Sequence, residues 1–352
     1  GNKAQIMLRE LERDAVSTRT VYERFLNRFK EMSANENLPS PDARVLAPAS
    51  PPASPEQPKV LLVIALMLAA GAAIGFGTAF LLEHLHAGIR TRQQVEQIFN
   101  LPFLAFVPLV RGRLNRSMAH YVVDHPLSSY AEAIRSLRMG IRLSAGADDA
   151  KVIAVASALP AEGKSTTSLN LAMYAASSGS RTLLIDADMR RPTVTGLVSS
   201  NAKRGLADIL QGKASLADVV IVDNKTGLSF LPTLRSNSIT NTAELLSSEE
   251  FAQLITLCRR EFDMVVIDVS PILPVIDGRA VLSQVDKIVM VVEWNKTSKQ
   301  VVNEAMQLIR AWRDSIIGVV LNKADMRRIH HYGSYNFKSY SSKYPSYYGH
   351  GG

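Results

Sequence analysis

The stretch SALPAEGKSTT, Ser157 to Thr167, fits the phosphate-binding loop pattern G-x-x-x-x-G-K-[ST] at every fixed position but one, since Ala158 stands where the first glycine belongs. A bare G-K-S is common by chance, so the flanks decide. Upstream, KVIAVASA from Lys151 is an apolar run of strand length; downstream, KSTTSLNLAMYAASSG reads as a helix that stops at Gly179. A loop between a strand and a helix N-terminus is what a phosphate cradle needs. Backbone N–H groups of Ala161, Glu162, Gly163, Lys164, Ser165 and Thr166 would hold phosphate oxygens, Lys164 would neutralise them, and the Ser165 hydroxyl would reach Mg²⁺. Losing the first glycine removes flexibility, not ligands.

Working outward, strands and helices alternate: TLLID (Thr182 to Asp186), a helix in AELLSSEEFAQLITLCRREF, MVVID (Met264 to Asp268), KIVMVVE, a helix in SKQVVNEAMQLIRAW, and IIGVVLN. Near-continuous apolar strands separated by helices predict an α/β domain, a mostly parallel sheet of P-loop NTPase type with helices on both faces. Chemistry then belongs at the C-terminal strand ends. Two of those ends carry acids, Asp186 and Asp188 in LLIDADMRRP and Asp268 in MVVIDVSP. Any one of them could be an ordinary cap, but three acids beside a phosphate loop point to a metal and proton-transfer site.

The chain of 352 residues allows about two domains, and 47% hydrophobic residues exclude wholesale disorder. It opens on Gly1 with no basic-then-apolar leader, which reads as the start of a fragment with more sequence upstream. The single cysteine, Cys258, sits at a core position of a helix, so no disulfide framework is possible. The net charge of +8 raises nucleic acid as a partner, yet it divides into +4 over residues 84–117 and +4 over 326–352, leaving 118–325 neutral. A nucleic-acid groove on the globular part is therefore unsupported.

VLLVIALMLAAGAAIGFGTAFLL, Val60 to Leu82, carries no charge and is long enough to cross a hydrocarbon core. Arginines crowd its C-terminal side, which predicts that this side faces the cytoplasm and that residues 1–38 are extracytoplasmic. Gly71 and Gly75 form G-x-x-x-G, a weak signal for self-association; His84 and His86 at the exit read as interfacial polar residues rather than metal ligands. Before the span, Leu8, Leu11, Ala15, Thr18, Tyr22, Phe25 and Phe29 recur at spacings of three and four. That pattern fits a coiled-coil seam, or equally an amphipathic helix packed on another domain. Seven prolines between Pro39 and Pro58 make a semi-rigid strap. The expected plan is a helix over 1–38, the strap over 39–59, a transmembrane helix over 60–82, a basic juxtamembrane segment over 83–117, the P-loop domain over 118–325 and a tail over 326–352.

The tail, HHYGSYNFKSYSSKYPSYYGHGG, holds Tyr332, Tyr335, Tyr340, Tyr344, Tyr347 and Tyr348. It could stack on nucleic acid or be low complexity without function. Beside a phosphoryl-transfer site, phosphoacceptors are the favoured reading, since each phosphate adds about −1.5 to −2 charges.

SALPAEGKST, TLLIDADMRRP and FDMVVIDVSP together resemble the Walker A, A′ and B motifs of the bacterial tyrosine kinases that double as polysaccharide co-polymerases. The resemblance extends through external helix, strap, span, kinase domain and tyrosine tail. It implies an ATP- and Mg²⁺-dependent tyrosine kinase that autophosphorylates its tail, usually on a neighbouring subunit of a ring-like oligomer, and regulates exopolysaccharide or capsule polymerisation and export. Implied partners are other copies, the membrane, the polymerase and export machinery and a cognate tyrosine phosphatase. By motif position, Lys164, Asp186 and Asp188 would be catalytic, with Asp186 taking the tyrosine proton, and Ser165, Asp188 and Asp268 would hold Mg²⁺. Asn322 in VVLNKAD would lie by adenine, and EAIRSLR matches an oligomerisation motif through Glu132, Arg135 and Arg138, which would otherwise be a surface helix with ion pairs. Three positions depart. Leu159 stands where partitioning and division-site ATPases carry a signature lysine, Ala161 replaces a frequent glycine, and Ser270 stands where proline is usual. The rival reading is a non-catalytic co-polymerase scaffold that uses nucleotide only for assembly.

Overall fold

The computed structural model describes residues 2–36, 59–85, 88–110, 119–144, 150–199, 201–235 and 241–332. Eight strands form one sheet: β1 (Phe103–Pro108), β2 (Val152–Ser157), β3 (Thr182–Asp186), β4 (Ile221–Val222), β5 (Ser229–Leu231), β6 (Met264–Asp268), β7 (Lys287–Glu293) and β8 (Ile316–Ala324). Their order is β1-β8-β7-β2-β6-β3-β5-β4, and every pairing is parallel except β4 with β5. Two apolar clusters, one per face, account for the unbroken hydrophobicity of the central strands. Val152, Ala154 and Ala156 of β2 join one cluster while Ile153 and Val155 join the other. A strand buried on both faces has no use for alternation.

Three expectations from the sequence are revised. Residues 83–117 are not simply a basic linker. Ile89, Val95, Phe99, Leu101, Ala105 and Val107 are buried, the helix Arg92–Phe99 is closed by a Thr91–Gln94 capping box, and β1 adds to the sheet beside β8. The arginines caught the eye because they stay outside, while the apolar residues between them fill an edge position. Second, the single helix expected across AELLSSEEFAQLITLCRREF is two, Thr242–Leu246 and Glu249–Glu261. The Ser248 hydroxyl accepts a hydrogen bond from the Phe251 N–H at 3.3 Å and restarts the chain as a new helix. Third, the helix from Lys299 ends at Leu308 and continues only as a 3₁₀ segment, Arg310–Ser315.

Asn2–Glu36 is one helix with Leu8, Leu11, Tyr22, Phe25 and Phe29 all exposed along it, as a seam awaiting a surface would be. Val60–Leu85 is a second helix, and its stretch Val60–Thr78 is long and apolar enough to span a membrane. The last described helix, Met326–Tyr332, includes Tyr332. Tyr335, Tyr340, Tyr344, Tyr347 and Tyr348 lie outside the described residues, as do His86 and most of the proline strap.

Candidate functional site

The loop after β2 opens into the helix Lys164–Ser177, whose N-cap, Gly163, has no side chain to offer the first N–H groups. Those donors stay available to an anion. Gly163 has φ +95°, which demands glycine, and a β-carbon there would lie 1.9 Å from the Asn322 Nδ2 atom and push that amide out of place. Ala158, at the lost glycine position, is fully buried, with its carbonyl accepting from Leu273 N–H at 3.2 Å. A methyl group fits the core at this point, which is why the departure is tolerated.

Register brings the acids together. Asp186 of β3 pairs directly with Asp268 of β6, and β6 lies next to β2. Lys164 folds back over these ends, placing Nζ 3.2 Å from both Asp188 Oδ2 and Asp268 Oδ2 and 3.3 Å from Ser165 Oγ. The Ser165 hydroxyl donates to Asp268 Oδ2 at 2.7 Å, and that of Ser168, one turn along the same helix face, to Asp268 Oδ1 at 3.1 Å. Burial alone would lower the Lys164 ammonium, but Asp268, Asp188 and Asp186 together outweigh it and raise it. Burial pushes the Asp268 carboxyl up. The Asp186 carboxyl rises to about 7, from burial first and the Asp268 charge second.

Asp186, like Asp268, is fully buried. Its Oδ2 accepts from the Thr195 N–H at 2.9 Å and hydroxyl at 2.8 Å, and its Oδ1 from the Asp188 N–H at 3.2 Å. Asp188 is fixed from the other side: Oδ1 accepts from the Ser270 hydroxyl and from Arg191 N–H, each at 3.0 Å. Ser168, Thr195 and Ser270 were missed as site residues. Thr195 leaves no trace in the sequence, whereas Ser168 has its four-residue spacing from Lys164. Ser270, noted there as an oddity, supplies a hydroxyl where proline has none. Replacing Ser270 with alanine removes a buried hydrogen bond to a charged acceptor, of a kind contributing about 1.5–3 kcal/mol. The Mg²⁺ concentration needed for half-maximal nucleotide turnover is expected to rise about tenfold, read from a Mg²⁺ titration of the variant against the parent.

The donors fit magnesium. Among the described residues no group of three acid, histidine or thiol side chains encloses a metal. One hydroxyl and two carboxylates nevertheless converge where the Lys164 ammonium already sits as a cation. Mg²⁺ characteristically takes one or two carboxylates and completes its shell with waters and substrate phosphates.

On the other flank, the Asn322 amide donates to the Glu162 carbonyl at 2.8 Å and Lys323 Nζ to the Ala161 carbonyl at 2.5 Å. Asn322, expected beside adenine, here touches the phosphate loop itself. Glu132, Arg135 and Arg138 lie apart from this cluster on the helix Ser129–Ser144. Glu132 and Arg135 form an i,i+3 ion pair at 2.7 Å, and Arg135 also donates to the Pro126 carbonyl. Arg138 differs, lying 5.5 Å from the ring centroid of Tyr174 on the phosphate-loop helix.

Against known proteins, residues 150–321 match the model of an AAA domain and residues 2–84 that of a "G-rich domain on putative tyrosine kinase". The chain is similar to the succinoglycan biosynthesis transport protein ExoP of Rhizobium meliloti (strain 1021), 33% identical over 371 residues, covering 97% of this chain and 47% of that protein. The solved kinase domain of VpsO is 33% identical, with 58% of this chain covering 99% of that one at a TM-score of 0.51. The chain belongs to the bacterial tyrosine kinase family. The kinase domain of Escherichia coli tyrosine kinase ETK agrees, at 26% identity and a TM-score of 0.62 over 71% of this chain and 98% of that domain. This family member spans about half the length of the curated relatives it matches. The family and fold expected from the motifs are borne out.

Proposed function

We propose that this chain is the spanning and cytoplasmic part of an ATP-dependent, autophosphorylating tyrosine kinase of the bacterial inner membrane that regulates exopolysaccharide polymerisation and export. The observation that carries this is the convergence of Lys164, Ser165, Asp188 and Asp268 at a bare helix N-terminus following a phosphate-type loop. Backbone N–H groups of residues 161–166 orient the triphosphate, and Lys164 neutralises its β- and γ-oxygens. Ser165, Asp188 and Asp268 would hold Mg²⁺, which would supply further neutralisation of phosphate charge. The tyrosine oxygen attacks the γ-phosphorus, ADP leaves, and the phenolic proton passes to Asp186, whose raised pKa suits a base working near neutrality. Asn322 borders the nucleotide from the β8 side.

Acceptors are the six tail tyrosines from Tyr332 to Tyr348, reached on an adjacent copy. The apolar helix anchors the chain with its C-terminal side cytoplasmic and residues 1–38 outside. Other copies in a ring, the polysaccharide polymerase and export machinery and a cognate phosphatase are the partners. The rival, nucleotide used for assembly alone, draws on the enclosure of Asp186 by Thr195. Full chain in detergent, incubated with ATP and Mg²⁺ and probed for phosphotyrosine, separates the two; absence of signal from protein that binds ATP would favour the scaffold.

Glu132, Arg135 and Arg138 carry contacts between copies in this reading. Because Arg138 also covers Tyr174, the clean variant changes only Glu132 and Arg135 to alanine. Their exposed ion pair contributes about 0–1 kcal/mol to the fold. The variant is expected to melt with the parent yet sediment as a smaller species; an unchanged mass by light scattering removes the interface role.

A further inference from the structure

Glu162 sits in the phosphate loop, where an acid is out of place beside a site for a triphosphate, yet it is almost fully buried. Its carboxylate turns away from the helix N-terminus. Oε2 accepts from the Leu159 N–H at 2.7 Å, closing the loop on itself. Oε1 accepts from the Thr297 hydroxyl at 2.5 Å and from the Glu293 N–H at 3.3 Å, which fastens the loop to the end of β7. No cation pairs with it among its bonded partners, and burial raises its carboxyl despite those hydrogen bonds. A buried carboxylate satisfied only by neutral donors is costly to keep.

The reason for keeping it lies one residue earlier. Ala161 holds φ +65°, a left-handed conformation that costs an L-residue free energy that glycine does not incur. Such a conformation persists only where its surroundings over-determine it. Here the two peptide groups after Ala161 Cα are held by Lys323 and Asn322, and the Glu162 side chain ties the loop to Leu159, Thr297 and Glu293.

We infer that Glu162 is a positioning residue, a buried strut that holds the phosphate loop in its nucleotide-ready shape and does the work that glycine at position 161 would otherwise make unnecessary. This rests on the nucleotide-binding reading above. The strut contacts neither phosphate nor metal; it acts through the direction of the backbone N–H groups of residues 161–163. Thr297, far away in sequence, is its anchor.

The test is titration of the full chain in detergent with a fluorescent ATP analogue and Mg²⁺. Glu162→Ala is expected to raise the dissociation constant at least tenfold, and Thr297→Val about threefold, since it removes one of three bonds. Adding Ala161→Gly to Glu162→Ala is expected to recover at least half of the loss on a logarithmic scale, because glycine takes the left-handed conformation unaided. A merely structural carboxylate would show no such recovery. Binding by Glu162→Ala within twofold of the parent, or a folded double variant no tighter than the single one, overturns the strut. Should Glu162→Ala not fold, parent-like binding by Thr297→Val overturns it equally. A parent that binds no analogue removes the nucleotide reading itself, a result distinct from a parent that binds beside variants that bind as well.

Discussion

Lys164→Met is expected to abolish phosphotyrosine on the purified chain, with transfer falling by roughly 10³-fold or more, as losing a preorganised charge on a transferring phosphoryl group does. The geometry adds a consequence for stability. Nζ bridges Asp188 and Asp268, both buried, so methionine leaves two carboxylates facing each other without their cation. Breaking a buried pair from one side typically costs about 3–5 kcal/mol, a large part of a domain's roughly 5–15 kcal/mol. The loss of labelling is therefore to be read together with a melting curve, and added Mg²⁺ is expected to raise the variant's midpoint more than the parent's. Labelling as strong as the parent's, in a folded variant, would show that the loop has been misassigned.

Changing all six tail tyrosines to phenylalanine is expected to remove nearly all phosphotyrosine while leaving ATP binding unchanged. Assembly supplies the second readout. Unmodified, residues 326–352 carry a net +4, suited to a site lined by Asp186, Asp188 and Asp268 on another copy. Each phosphate adds about −1.5 to −2 charges, so two roughly neutralise the tail and three reverse its sign, turning attraction into repulsion. Clustered acceptors make that reversal graded. In ATP the parent is expected to dissociate as it labels, whereas the phenylalanine form stays assembled; equal dissociation of both, followed by sedimentation, would separate tail charge from assembly.

The central strands were readable because each is a short apolar run ending in a residue with a job, as in TLLID and MVVID. Burial on both faces removes alternation but leaves length and composition as signals. β1 escaped because its six residues sit among arginines counted for their charge, and because its place is set by β8, over two hundred residues later. β4 and β5 are two and three residues long, below what any periodicity can register. Within the site, residues tied to neighbours by helix or strand geometry were found, Lys164, Ser165 and the acids among them. Those that act across the fold were not. Nothing in TSKQ predicts that Thr297 binds Glu162, or in DVSP that the Ser270 hydroxyl reaches Asp188, because side-chain pairings of this span exist only once the chain is folded.

The two borders of the sheet are both unsuited to adding another strand. On one side β4 is two residues long and runs against its neighbour; on the other, β1 is irregular in register at both ends and finishes in Pro108, which has no N–H to lend. A sheet with a hydrophobic interior rich in valine and isoleucine runs a standing risk of zipping edge to edge into open-ended fibres. Blunt borders close that route. In the assembly proposed above, contact between copies would fall to side-chain surfaces on helices, which can be given a fixed angle and so close on themselves, and which a few charges can undo.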